Sequence, residues 1–398
     1  MVPPKSKFNP GKPNPIKPGV GRPGPMKPGI SRPGPVGPGP ARAAPVQAAP
    51  AQDLSGEINA LQSKLGTLQN GVRLNSARDA VEDLQTKVTG MGQRIAALRQ
   101  RGYFFEKELE EQAAVFAQQW QGFYPSIQQQ LNTQAAQLQA SLRPMEAQMN
   151  QLGGLRYNPG MARPILSSLQ TGLATLEGQV SAAERTISGM YDQFSNQVYQ
   201  VERRLNDVDR MLTDLAEASF QLLPTEGGIN AVKAVWCKTG KEQKGDPEGV
   251  LFLTDQRILF EQKEEVTTKK VLFIATEKQK VQALQWEVPV AMVDRVETSK
   301  QGLLKNEDHI EIRFVSGAPR EVVHLHVWEP CDEWQAQINR AKSKDFDKSR
   351  AVAIDQAEID KVKAVPSQCP SCGANMPQLV LRGQDSVKCE YCGFVIRL

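Results

Sequence analysis

Between Leu166 and Leu215 apolar residues recur by threes and fours for about seven heptads, through Leu169, Leu173, Leu176, Val180, Ala183, Ile187, Phe194, Val198, Leu205, Val208 and Leu212. That rhythm puts one apolar stripe along one side of a helix and fits a coiled-coil seam. At about 1.5 Å per residue, a helix over 165–222 is about 85 Å long. Such a helix cannot bury its stripe against itself. It must pair with preceding helices as an antiparallel hairpin, with another copy of the chain, or with both; we expect both. Preceding seams exist. One runs from Leu54 to Val72, a second from Val81 to Leu98, and a third from Ile127 to Met149. GGLRYNPGMARP at 153–164 separates the third from the last with glycine and proline. Gly172, Gly178 and Gly189 each cost about 1 kcal/mol against alanine, so the helix expected here is moderately stable. Met91, Met145, Met190 and Phe194 fall on the seam and read as core filling.

Residues 1–52 have a different character. They hold eight basic residues (Lys5, Lys7, Lys12, Lys17, Arg22, Lys27, Arg32, Arg42) and no acidic ones. The whole chain carries +4, so residues 53–398 carry −4, a mildly acidic body behind a basic tail. A ten-residue unit repeats as KFNPGKPNPI, KPGVGRPGPM and KPGISRPGPV. Proline at that density fixes φ and removes donors, predicting a disordered arm with polyproline character. It could stay solvated, dock in aromatic-lined grooves, or tether the chain to an anionic surface. No apolar run of about 18 residues is present, nor the apolar core of a secretory signal. Four of the six cysteines fall in one motif, a usage that fits the reducing cytoplasm.

After LLPTEGG at 222–228 the periodicity turns to short runs bounded by turn residues. Eight candidate strands lie at 230–237, 249–254, 257–262, 270–276, 283–289, 293–299, 309–314 and 321–328, followed by a helix with Trp334, Ile338 and Ala341 on one face. Strands closed by one helix predict a bent sheet or small barrel whose open end the helix plugs. The stretch from Gly249 through Leu253-Thr254 to Arg257 and Phe260 resembles the strand-turn-strand signature of GRAM and related PH-like domains, and the closing helix with Trp334 is similar too. The resemblance spans 226–345. It implies a PH-like fold, which binds phosphoinositides in some members and proteins in many others. Lys263, Lys269, Lys270, Lys278 and Lys280 could form a basic pocket there, but Glu261, Glu264, Glu265 and Glu277 interleave with them, the pattern of a solvated mixed-charge loop. His324 and His326 alternate with apolar residues on one strand. Without a carboxylate in view they read as an outer-face pair, not a metal site.

The chain closes with Cys369 and Cys372, then sixteen residues, then Cys389 and Cys392. This spacing predicts a zinc ribbon, with the four thiolates holding structural Zn2+ and leaving no position for water or substrate. Gly373 and Gly393 follow the second cysteine of each pair, where the chain must turn sharply. Around the knuckles Arg382, Lys388 and Arg397 exceed Asp385 and Glu390 by one charge, a weak footprint for nucleic acid. No phosphate-cradling loop, nucleophile elbow or His-Glu-x-x-His occurs, so no enzyme is expected.

The expected architecture is a multidomain chain. A disordered tail (1–52) precedes an α-helical coiled coil (53–224), an all-β PH-like barrel with one C-terminal helix (226–345), a partly helical linker (346–367) and a zinc ribbon (368–398). The expected function is that of a self-associating, non-catalytic cytoplasmic scaffold, peripheral at an anionic membrane surface or bound to a protein partner. The alternatives are a nucleic-acid-associated ribbon factor and a protein-only adaptor; no small-molecule substrate is expected.

Overall fold

The computed structural model describes residues 53–398 apart from 272–273, 303, 305 and 377–378, and the backbone alone over 266–278. The expected tail at 1–52 lies outside the described residues. Five helices come first: α1 (Ser55–Gly71), α2 (Asn75–Gln100), α3 (Leu109–Gly153), α4 (Pro159–Gly189) and α5 (Asp192–Ala216). They line up as three rods, α1 with α2, α3 alone, and α4 with α5. Lys64 pairs with Glu177, Arg94 with Glu202 and Arg101 with Asp209, so the first and third rods run in the same direction. Gln69 meets Glu146 and Arg78 meets Asn132, so α3 runs against them. The seam residues Leu169, Leu173 and Leu176 are fully buried within the single chain.

Two expectations change here. The segment 165–222 is not one helix, and the longest helix is α3, with 45 residues spanning about 68 Å. The break falls after Gly189, where Tyr191 leaves helical geometry (φ −137°, ψ 2°) and joins Phe194 around Trp120 of α3. Met190, expected in the core, is 37% exposed at this break. The seam also needs no second copy, because α1, α2 and α3 already cover it. The reason is the extra length of α3, whose first turns add Leu109, Ala113, Phe116 and Trp120 to the buried stripe.

Seven antiparallel strands follow: β1 (Gly228–Trp236), β2 (Glu248–Thr254), β3 (Arg257–Val271), β4 (Ile274–Pro289), β5 (Val293–Gln301), β6 (Glu307–Phe314) and β7 (Val322–Val327). Their order is β4-β3-β2-β1-β7-β6-β5, and α6 (Cys331–Lys342) packs on β5 and β6 with Trp334, Ile338 and Ala341 buried. A seven-stranded antiparallel sheet followed by one helix thus stands where strands closed by one helix are expected. The expected candidates at 257–262 and 270–276 do not form separate strands: the first runs on through β3, and the second spans the β3–β4 hairpin. Among the described residues the sheet does not close into a barrel, since β4 and β5 remain its two edges.

The sheet sits on the helices. A Cβ added at Gly228 would meet the side-chain ends of Met211 and Leu215 of α5, so β1 lies directly against the third rod and a larger residue there would have to displace them. Beyond α6 come α7 (Asp345–Lys348), α8 (Gln356–Lys363) and the short pair β8 (Ser386–Lys388) and β9 (Val395–Arg397). Among the described residues no helix is long and apolar enough to cross a membrane.

Candidate metal centre

Two matching turns bring the four cysteines together. The N–H of Gly373 donates to the Cys369 carbonyl at 2.8 Å and that of Gly393 to the Cys389 carbonyl at 2.9 Å. The N–H of Cys369 and of Cys389 donate to the carbonyls of Ala374 and Phe394 at 2.7 and 2.8 Å. Gly373 and Gly393 both have φ +74°, which disfavours any residue with a Cβ. β8 and β9 carry the second turn, and Met376 and Val387 supply a small core beside Cys369 and Cys389.

Cys369 Sγ and Cys392 Sγ stand 3.6 Å apart, and Cys372 Sγ and Cys389 Sγ 3.7 Å. A tetrahedral zinc site with Zn–S near 2.3 Å puts its sulfurs about 3.8 Å apart, so the donor set fits that ion in both spacing and chemistry. The N–H groups of Cys392 and Tyr391 draw the Cys389 thiol down to about 7. Cys372 receives the N–H of Ala374, yet its hydrogen bond to Cys392 and its other neighbours push it up to about 12. A zinc ion held by Cys369, Cys372, Cys389 and Cys392 would take them as thiolates, with release of their protons.

The cysteine module is tied to the sheet, which the sequence did not reveal. Asp255, in the β2–β3 turn, has a side chain only 3% exposed and takes a guanidinium from each side: Arg350 at 2.7 Å and Arg382 at 2.5 Å. Burial raises its carboxyl, while the N–H of Gly227 and the two arginines work against that rise. Gln256 exchanges two hydrogen bonds with the backbone of Arg382, at 2.7 and 3.1 Å. A Cβ at Gly383 would collide with the Pro224 backbone. Arg350 also lies over Phe104 and Phe105 of the α2–α3 loop, and Phe105 meets Phe346 edge to face. Helices, sheet and cysteine module therefore converge at one turn.

The other residues singled out from sequence fall as follows. Lys263 pairs with Glu217 at 2.6 Å. Glu261 is not solvated; it is buried and accepts the Ser219 N–H at 2.6 Å. Lys280 is exposed on β4, and the side chains of Lys269, Lys270 and Lys278 lie outside the described residues. Arg382 is turned inward to Asp255, away from any nucleic-acid face. The histidines are not without carboxylates: His324 lies 3.4 Å from Glu311, and His326 lies 2.6 Å from Glu242 on the β1–β2 loop. His309 on β6 stacks on His326 at 4.7 Å. The sequence reading missed these partners because they come from another strand and a loop.

A second set of residues gathers at the end of the sheet opposite the Asp255 turn. Trp236, ending β1, carries the Arg320 guanidinium at 4.6 Å and the Lys238 ammonium at 5.3 Å on its ring. Lys238, Lys241 and Lys244 are exposed on the β1–β2 loop. Between α5 and the sheet lies a cavity of about 400 Å³ lined by Arg210, Lys233 and Lys263, each held by a carboxylate: Glu329, Glu248 and Glu217.

Neither a protein-family model nor a curated protein matches the chain. Among solved structures, the DH/PH domains of p115-RhoGEF align at 13% identity and a TM-score of 0.23, over 73% of this chain and 94% of that one. A point mutant of the same domains aligns at 10% identity and a TM-score of 0.19, over 72% and 97%.

Proposed function

We propose that this chain is a non-catalytic cytoplasmic scaffold that engages an anionic membrane surface through the loop end of its PH-like sheet. The observation that carries this reading is the polarity of the sheet. Lys238 and Arg320 lie on the Trp236 ring at one end, with Lys241 and Lys244 exposed on the same β1–β2 loop as Lys238, while the cysteine module and the α2–α3 loop occupy the other. Cations beside an aromatic ring suit the headgroup boundary. The eight cations of residues 1–52 add to the same attraction. Structural Zn2+ in the four-cysteine cluster holds the ribbon, which serves as a docking module for a protein partner. Self-association, expected alongside pairing of the seam with the preceding helices, is not required by this reading, since seam residues are buried within the chain.

Flotation of the zinc-loaded protein with phosphatidylserine and phosphoinositide vesicles tests the reading. Each lysine near an anionic surface is worth about 1 kcal/mol, so replacing Lys238, Lys241 and Lys244 by alanine should weaken binding about 100-fold. Deletion of 369–398 should leave flotation intact. A wild-type chain that stays in solution with anionic vesicles sinks the membrane reading and makes the sheet a protein-docking fold. Retention of nucleic acid that depends on 369–398 would instead favour the ribbon-factor alternative.

A further inference from the structure

All three histidines of the chain lie on β6 and β7, on paired positions of the same sheet face. His309 pairs with His326 across the ladder, and Glu311 with His324. Above this face the β1–β2 loop delivers Glu242. One donor atom each from Glu242, His309 and His326 lie within 4.8 Å of one another. His309 is 8% exposed, and its Nε2 is buried without a hydrogen-bond partner. A buried imidazole nitrogen with nothing to bind is costly and calls for an explanation.

We propose that Glu242, His309 and His326 form a second metal site, for a divalent first-row ion such as Zn2+, separate from the four cysteines. Two imidazoles and a carboxylate are the nitrogen and oxygen donors such ions accept, at about 2.0–2.2 Å. The rings now stack with their planes 14° apart, so their lone pairs run side by side. Capture of an ion tilts one ring and draws Glu242 down, exchanging the stacking for coordination. Glu307, 3.8 Å from His309 Nε2, is close enough to add a second carboxylate, and the remaining position is left to water. The ion would pin the β1–β2 loop, with Lys238, Lys241 and Lys244, to the far strands. This inference rests on none of the membrane reading.

The test is metal content by mass spectrometry after equilibration of the full chain with Zn2+ and removal of loosely held ion. The wild type should retain two zinc ions. His326→Ala and Glu242→Gln should each retain one, with the cysteine site intact as judged by the thiolate charge-transfer band after Co2+ substitution. Glu242 lies on an exposed loop, so its variant remains informative if a histidine variant fails to fold. One zinc in the wild type, or two in a folded Glu242→Gln, overturns the proposal.

Discussion

Glu226 is almost fully enclosed, and Arg257 answers it with two nitrogens, at 3.0 and 2.7 Å, while Thr254 donates its hydroxyl at 2.6 Å. Thr254 and Arg257 belong to the stretch that resembles the PH-like signature, and here they fasten the entry of β1 to the β2–β3 turn; they do not face a ligand. Arg257→Met leaves a buried carboxylate without its cation and should cost about 3–5 kcal/mol. Adding Glu226→Leu should recover most of that, as urea unfolding of both variants will measure. A second residue sets an acid limit. Asp308 pairs with Lys300 at 2.5 Å and accepts the Cys331 N–H that opens α6. Burial pushes the Asp308 carboxyl up, but Lys300 and that N–H outweigh it and hold it at about 2, below its ordinary 3.8. A carboxyl lowered on folding contributes stability that is complete above about pH 4 and is lost as pH falls toward 2. Unfolding midpoints at pH 5, 3 and 2 should fall more steeply for wild type than for Asp308→Asn; equal slopes would show that the pair does not matter.

The second turn of the cysteine module hangs on strands of three residues each, Ser386–Lys388 and Val395–Arg397, and the first on a single bridge between Gln368 and Asn375, with a core of little more than Met376 and Val387. An element that small cannot hold its shape by apolar burial. Zinc chelation, or Cys372→Ser, should therefore abolish amide-exchange protection over 386–397 while the three helical rods keep theirs; protection that survives chelation would count against a structural ion. Elements of this kind were legible because their information is local. Four ligands at fixed spacing, a glycine after each pair and a seam by threes and fours all lie within short windows. Breaks in that seam were not. The rhythm passes from Ile187 to Phe194 without a fault, and what parts α4 from α5 is the aromatic contact with Trp120, supplied by another rod. The same holds for the histidine face, where Glu242 and His326 are 84 residues apart.

At the scale of the molecule one turn joins the parts. Asp255 draws Arg350 and Arg382 to itself, and both guanidinia are largely shielded. Asp255→Ala leaves two cations without their shared anion and should cost about 3–5 kcal/mol. It should also free the cysteine module, seen as fast proteolysis between 351 and 368 with the sheet still folded; unchanged cleavage would mean that Gln256 and Gly383 suffice to hold it. The clasp has a further consequence in time. Asp255 and Arg382 stand 127 residues apart, and contacts at that separation close late because the intervening chain must first be ordered. As the chain is synthesised, Asp255 waits through β3 to β7 and α6 for Arg350, and then for Arg382. Its second guanidinium arrives only after the sheet and α6 to α8 have been made, so this carboxylate is satisfied in two steps set by the order of synthesis.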